Sequence, residues 1–321
     1  SRIAYIISAY KDAPHLARLV AALDDRADFY VHIDLNADIH PFEEALGDKV
    51  TFVPATDSWG GWEQVEYQKE LLAAVLHSGI PYTRVVCLSG QDYPLWNNNA
   101  ITTISEEHQD TEFIGGFNLT HCTVKQQLHK ITHYHPFRDL PWKSIWWKNK
   151  LIVASRKLVQ ILPIRKAPFA PLEGKQADVY FGSDYWAITL PCARYVYEKL
   201  CTEEKLVKYF RTSFVPSELC IQTIVFNSPF ASKGLLLEEN TPDLPVSTPF
   251  ALHRLRRIHP RDDTRGPAGI AAVWKDVLPK NSKRHIRQIS GSHRADKKRI
   301  KKRVIPTDMP LYPNRNAAKK Q

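Results

Sequence analysis

The sequence predicts an α/β fold built on an open, mostly parallel sheet. Three observations predict it. Short runs of strand length alternate with longer stretches whose apolar residues recur every three or four positions. The first run is apolar without alternation, as in a strand covered on both faces by helices. Three of the runs end abruptly in polar residues, and in such sheets ligands bind beyond the carboxyl ends of the strands.

In chain order, residues 3–8 form the first such strand. Asp12 suits the N-cap of the helix that follows, with Pro14 near its start and Leu16, Leu19, Val20 and Leu23 along one face. Residues 29–34 make the second strand, ending in a carboxylate, and residues 50–53 a short third. Ser58-Trp59-Gly60-Gly61-Trp62 precedes a helix over 63–77, with Leu71, Leu72, Val75 and Leu76 facing inward. Residues 84–88 are a strand running into Ser89-Gly90-Gln91-Asp92-Tyr93-Pro94-Leu95. Residues 117–175 read as less regular and rich in His, Trp, Lys and Pro. Regular structure resumes over 179–189, followed by helices from Pro191, from about Glu203 and around Glu218.

Composition bounds the function. At 43% hydrophobic residues with 8 Trp, the chain can bury a sizeable core, as one large α/β domain or two average ones. It has no apolar run of about 18 residues, and its first residues read as a strand and not as a leader. The expectation is a cytoplasmic protein, with any anchor lying outside this sequence. Five cysteines without a C-x-x-C pair argue against a zinc site or a disulfide framework and for buried thiols in a reducing compartment. The net charge of +10 divides unevenly: residues 251–321 hold 20 Lys+Arg against 5 Asp+Glu, leaving 24 against 29 in residues 1–250. The body is mildly acidic and the tail strongly basic. Peripheral contact with a membrane or another anionic surface is therefore expected of the tail alone, and no specific nucleic acid.

No G-x-G-x-x-G follows the first strand and no G-x-x-x-x-G-K-[ST] is present, which disfavours dinucleotide and P-loop readings. His121, His129, His133 and His135 invite a metal reading, but they follow no standard ligand spacing, so a polar groove is the alternative. Phe214-Val-Pro-Ser-Glu218-Leu-Cys-Ile-Gln222-Thr223 is the stretch richest in chemistry. Pro216 suits a first helical turn, Glu218 then falls in that turn, and Gln222 follows on the same face. A carboxylate so held is either a positioned general base or an ordinary helix-start acid contributing about 0.3–1 kcal/mol.

Several stretches together resemble the core-2/I-branching β-1,6-N-acetylglucosaminyltransferase and peptide O-xylosyltransferase family, in the family's order. They are Ala4-Tyr-Ile-Ile-Ser-Ala-Tyr-Lys11, Val31-His32-Ile33-Asp34, Trp59-Gly60-Gly61, Leu88-Ser89-Gly90-Gln91-Asp92-Tyr93-Pro94-Leu95, Gly182-Ser183-x-x-Trp186 and Pro216-x-Glu218-x-x-x-Gln222-Thr223-x-x-x-Asn227-Ser228. The resemblance, closest to a bacterial-type member, covers about residues 3–230. It implies a GT-A-like fold: residues 1–115 as the nucleotide-sugar half, 116–250 as the acceptor and catalytic half, and 251–321 as a basic, partly irregular tail.

The resemblance further implies an inverting glycosyltransferase. It would move GlcNAc or xylose from a UDP-sugar to the hydroxyl of a glycan or glycoconjugate, with Glu218 as the base. Many GT-A enzymes hold a metal with Asp-x-Asp; this chain has none, and the resembled family tends to work without one, so no metal and no cofactor are expected. The donor would meet Ala9, Tyr10, Lys11, Asp34, Ser89, Gly90, Gln91 and Asp92. Basic residues of the tail would neutralise the diphosphate, with Arg256, Arg257, Arg294 and Lys297 as candidates, although the family's aromatic residues are missing there. Lys125, His129, Lys130, Ser183 and Trp186 would meet the acceptor. For several of these a plainer role is open: Asp34 ending a strand, Asp92 capping a turn, Trp186 filling the core. Two functional alternatives also stay open. One keeps the fold with another donor and a bacterial surface polysaccharide as acceptor. The other is a catalytically weak, transferase-like body whose cationic arm docks on nucleic acid or an anionic surface.

Overall fold

The computed structural model describes residues 2–23, 26–54, 61–94, 97–135, 145–161, 164–237 and 251–252. All of them belong to the first of two compact units, Ser1–Val277; the second, Leu278–Gln321, lies outside the described residues. The elements run β1 (Ile3–Ala9), α1 (Ala13–Leu23), β2 (Ala27–Ile33), α2 (His40–Leu46), β3 (Thr51–Val53), α3 (Glu63–His77), β4 (Arg84–Ser89), β5 (Tyr93–Pro94) and α4 (Asn98–Glu107). They continue with β6 (Gly115–Asn118), α5 (Lys125–Thr132), α6 (Ile145–Ile161), β7 (Phe169–Leu172), β8 (Lys175–Asp178), β9 (Tyr180–Gly182) and β10 (Ala187–Thr189). The last are α7 (Leu190–Thr202), α8 (Glu204–Arg211), α9 (Cys220–Phe226), β11 (Leu235–Leu236) and β12 (Ala251–Leu252).

The central sheet has the order β10-β4-β1-β2-β3. β1, β2, β3 and β4 are mutually parallel, and β10 closes one edge antiparallel to β4. This is the mostly parallel, helix-flanked α/β sheet that the alternation of apolar runs predicts. The order also locates a switch point. From β1 the chain steps outward through β2 to β3, then returns through α3 to lay β4 on the other side of β1. The chain thus leaves β1 toward β2 on one side and comes to β4 on the other, which makes the ends of β1 and β4 a topological switch point, where open α/β sheets take their ligands.

The early elements form as their residues dictate. The Asp12 carboxylate accepts the His15 backbone N–H at 3.1 Å, capping α1, whose Leu16, Leu19, Val20 and Leu23 are buried. α3 buries Val65, Leu71, Leu72 and Val75 and leaves Leu76 half-buried. Residues 117–175, expected to be less regular, instead hold α5, α6 and the β7–β8 hairpin.

A second sheet, β11-β6-β9, carries the later part of the chain. β6 and β9 approach so closely that a Cβ on Gly182 would sit 2.1 Å from the Gly115 carbonyl oxygen, so only glycine fits. α9 packs against this sheet and is buried on every side, from Cys220 to Phe226. Arginine and glutamate side chains, Arg84 and Glu112, are both fully buried. Arg84, fully buried at the start of β4, donates to the carbonyls of Thr111 (2.7 Å), Ala187 (2.9 Å) and His108 (2.7 Å) and lies over the Phe113 ring. Burial brings its guanidinium down to about 10, against the pull of the Glu112 carboxylate.

Candidate active site

Three loops converge at the switch point. Ser8 stands in register with both His32 and Ser89, so the ends of β1, β2 and β4 lie side by side. The Asp34 N–H donates to the Ala9 carbonyl at 3.0 Å, and the Gly90 N–H to the Ser8 carbonyl at 2.8 Å. A Cβ on Gly90 would meet that of Ala9 at 2.5 Å, so the residue type lets the two loops touch. The Gln91 amide reaches the Lys11 carbonyl at 3.4 Å. Ala9, Tyr10, Lys11, Asp34, Ser89, Gly90, Gln91 and Asp92 thus form one rim, with Tyr10 and Lys11 exposed.

Within the rim the acids have local duties. Asp34 accepts the Asn36 backbone N–H at 2.8 Å, closing the turn after β2, and Asp92 accepts the Ser89 N–H at 2.8 Å and is buried. Beneath them His32 stacks on Tyr67 at 5.0 Å, and burial holds its imidazole below the ordinary range.

Glu218 is reached differently from what the sequence suggests. Pro216 opens a 3₁₀ turn, Pro216–Glu218, and α9 begins only at Cys220. Glu218 is therefore the last residue of a tight turn and not part of the helix's first turn. That turn is held from several sides. Ser217 Oγ donates to Gln64 Oε1 of α3 at 2.8 Å, and the Phe214 N–H donates to the Lys130 carbonyl of α5 at 2.9 Å. Lys166 Nζ donates to Thr212 Oγ1 (3.0 Å) and Ser213 Oγ (2.7 Å) just upstream. Between these anchors Val215 adopts φ 45°, a left-handed conformation that costs a β-branched residue about 1–3 kcal/mol and persists only where its surroundings enforce it.

The polar residues after Glu218 fix its height over the second sheet. Gln222 Nε2 donates to the Ser183 carbonyl at 2.6 Å, Thr223 Oγ1 accepts the Tyr180 N–H at 3.1 Å, and Asn227 Nδ2 donates to the Asp178 carbonyl at 2.8 Å. The Gln-Thr…Asn pattern is thus a set of ties from α9 to residues 178–183. Asp184, the next residue after Ser183, is near enough to act on the Glu218 carboxyl. Burial pushes the Glu218 carboxyl up to about 7, the Asp184 carboxylate adds to the rise, and the Lys130 ammonium opposes it. Lys130 lies 3.5 Å from the Phe181 ring centroid and is itself lowered by burial. Asp184 also acts on Tyr67, Cys87 and Tyr185, raising each, and Asp92 acts on the last two.

Of the residues expected at the acceptor, Lys130 and Ser183 meet this cluster. Lys125 and His129 are exposed on α5, and His129 packs on His133 at 4.2 Å. Trp186 requires a correction: it is fully buried in the core and presents no ring face to a ligand. Asp184 is the residue the sequence reading passed over; a carboxylate in the Gly-Ser-Asp turn between β9 and β10 was its signal. Of the four histidines, His121 stands apart and pairs with Asp178, while His135 packs on Phe214 and its ring reaches the His129 carbonyl at 3.3 Å. Among the described residues no three His, Cys, Asp or Glu side chains converge to hold a metal. Trp59, Gly60, Leu95, Arg256, Arg257, Arg294 and Lys297 lie outside the described residues.

Strand-end loops meeting at a sheet switch point are where α/β proteins take ligands, and a buried carboxyl raised to about 7 is the kind of group that acid–base chemistry uses. The comparisons sharpen this: the family model of the Core-2/I-Branching enzyme matches residues 3–241, and the chain belongs to that family of glycosyltransferases. It is 22% identical over 235 residues to mouse beta-1,3-galactosyl-O-glycosyl-glycoprotein beta-1,6-N-acetylglucosaminyltransferase 4, covering 70% of this chain and 46% of the relative. The chain thus spans about half the length of the curated relative it matches. Among solved structures it is similar to mouse xyloside xylosyltransferase 1 in the apo form, at 13% identity over 74% of this chain and 85% of that one, with a TM-score of 0.32. That likeness is too loose to carry an argument.

Proposed function

We propose that the chain transfers GlcNAc or xylose from a UDP-sugar to the hydroxyl of a glycan or glycoconjugate with inversion, using Glu218 as general base and no metal. The observation that carries the reading is the Glu218 carboxyl, at the end of a turn tied to α3 and α5 and raised to about 7, where a carboxylate is basic enough to take a proton yet still ionised near neutral pH. As the acceptor oxygen attacks the anomeric carbon, its proton passes to Glu218 and the bond to the diphosphate breaks, releasing UDP. The negative charge on that leaving group calls for cations. Lys11 on the rim is one candidate, and Arg256, Arg257, Arg294 and Lys297 remain proposed for the rest. The GlcNAc arm is supported by the curated relative, a β-1,6-N-acetylglucosaminyltransferase by name. The xylose arm rests on the sequence resemblance.

A panel of UDP-sugars, each incubated without acceptor and in excess EDTA, tests the reading. Slow hydrolysis of UDP-GlcNAc or UDP-xylose to a β-configured sugar is expected, largely unaffected by EDTA. Turnover abolished by EDTA and restored by Mn²⁺, or release of the α-anomer, overturns it.

The pH profile carries a second expectation. The rate should rise as Glu218 loses its proton, with a midpoint near 7. Asp184 raises that midpoint, so Asp184→Asn should move the acid limb to lower pH. A limb that stays in place in this variant would separate Glu218 from the observed titration.

A further inference from the structure

We propose that the outward face of α6 docks the protein on an anionic lipid surface. Twelve large hydrophobic side chains are exposed among the described residues, and five of them, Trp146, Trp147, Val153, Leu158 and Ile164, fall within residues 145–165. Scattered exposed apolar residues need no explanation; a cluster does. On α6 the exposed positions recur every three or four residues, 146–147, 150, 153–154 and 157–158, so they share one face of the helix. The five apolar side chains have relative exposures from 50% to 59%.

The charge on this stretch selects the occupant. Residues 145–165 contain Lys148, Lys150, Arg156, Lys157 and Arg165 and no Asp or Glu. Lys150 and Lys157 stand on the exposed face itself, and the Lys150 ammonium lies 3.6 Å from the Trp146 ring centroid. Trp146 and Trp147 meet edge to face at 4.7 Å. Paired indoles, aliphatic side chains and lysines on one helical face match the boundary between acidic headgroups and acyl chains. A second copy of this face would bring lysines against lysines, and the basic tail would do the same. A nucleic acid would satisfy the lysines and indoles but leave Val153, Leu158 and Ile164 with nothing apolar to cover them. No described helix is long and apolar enough to cross a membrane, and 17 residues with lysines on the apolar face suit a helix lying in the interface. The inference does not depend on Glu218 or on the donor.

Co-sedimentation of the full chain with vesicles of phosphatidylcholine, with and without 30 mol% (about one lipid in three) phosphatidylglycerol, tests it. Binding to the acidic vesicles alone is expected. Trp146→Ser with Trp147→Ser should abolish it, and Lys150→Gln with Lys157→Gln should weaken it about 25-fold, at roughly fivefold for each basic residue near the surface. The melting temperature of each variant should match the wild type, since all four side chains are exposed. Binding unchanged in both variants would assign the contact to another region, such as the tail, and overturn the proposal. So would a dimer in solution that the tryptophan variant dissolves, or binding of a single-stranded oligonucleotide, without vesicle binding, that the variants weaken.

Discussion

Glu218→Gln is expected to lower the transfer rate by about 10²–10⁴, leave donor affinity unchanged, and raise the melting temperature above pH 7. The rate loss follows from removing the proton acceptor while keeping the shape of the side chain. Donor affinity holds because the base acts on the acceptor hydroxyl. The gain in stability follows from the sign of the shift. Folded Glu218 titrates at about 7 against an ordinary 4.5, so between those values the folded chain holds a proton that the unfolded chain has lost. Stability contributed by this group therefore falls as pH rises through that window, and above 7 the full cost of the buried charge is present. Glutamine never carries that charge. The variant should be more stable by about 1–3 kcal/mol at pH 8, with Lys130 offsetting part of the difference, and indistinguishable below about 4.5. Thermal melts at pH 4, 6 and 8 check this. Destabilisation at pH 8 would instead make Glu218 a structural partner of Lys130. The plainer of the two sequence alternatives, a helix-start carboxylate contributing about 0.3–1 kcal/mol, has the opposite sign because it could not see the burial.

Arg84→Met should be the most costly change in the scaffold, at about 3–5 kcal/mol. The arginine ties the start of β4 to the end of α4 and to β10 through three carbonyls, and it faces the buried Glu112. Methionine fills much of the volume but donates nothing: the Ala187 and His108 carbonyls keep the Phe113 and Thr111 N–H groups, the Thr111 carbonyl loses the guanidinium, and the Glu112 carboxylate loses its buried cation. Glu112 itself stays held by the Thr189 N–H and hydroxyl, both at 2.7 Å. The melting temperature should fall on the order of 10 °C. Arg84→Lys should recover only part of this, since one ammonium cannot reproduce a planar fork spanning three acceptors. A loss below about 1 kcal/mol in denaturant titration of Arg84→Met would show that water replaces the arginine freely.

The sequence was most legible where local pattern and tertiary role agree. α3 is read at 63–77, as observed, because its apolar positions recur on one face that the sheet then covers. The strand ends carrying Ala9, Asp34 and Ser89 are legible because apolar runs stop at polar residues, and parallel packing then has to bring those ends together. α6 was hidden because its outward face carries Trp146, Trp147, Val153 and Leu158, which removes the polar stripe that marks an amphipathic helix. α9 misled in another way: it is buried on every side, so its polar residues mark ties to residues 178–183 and not a solvent face. Trp186 and Asp184 show the remaining gap. Burial of a lone aromatic and the proximity of a lone carboxylate to Glu218 depend on how β9 and β10 are placed, and no periodicity encodes that.

The central claim is that Glu218 takes the acceptor's proton, and the ratio of wild-type to Glu218→Gln transfer rates, measured from pH 5 to pH 9, tests it most directly. The account predicts a ratio of about 10²–10⁴ at pH 8 that shrinks roughly a hundredfold by pH 5, as the wild-type carboxyl gains the proton that disables it. A ratio below about fivefold at pH 8, flat across the range and with both proteins folded, would contradict it.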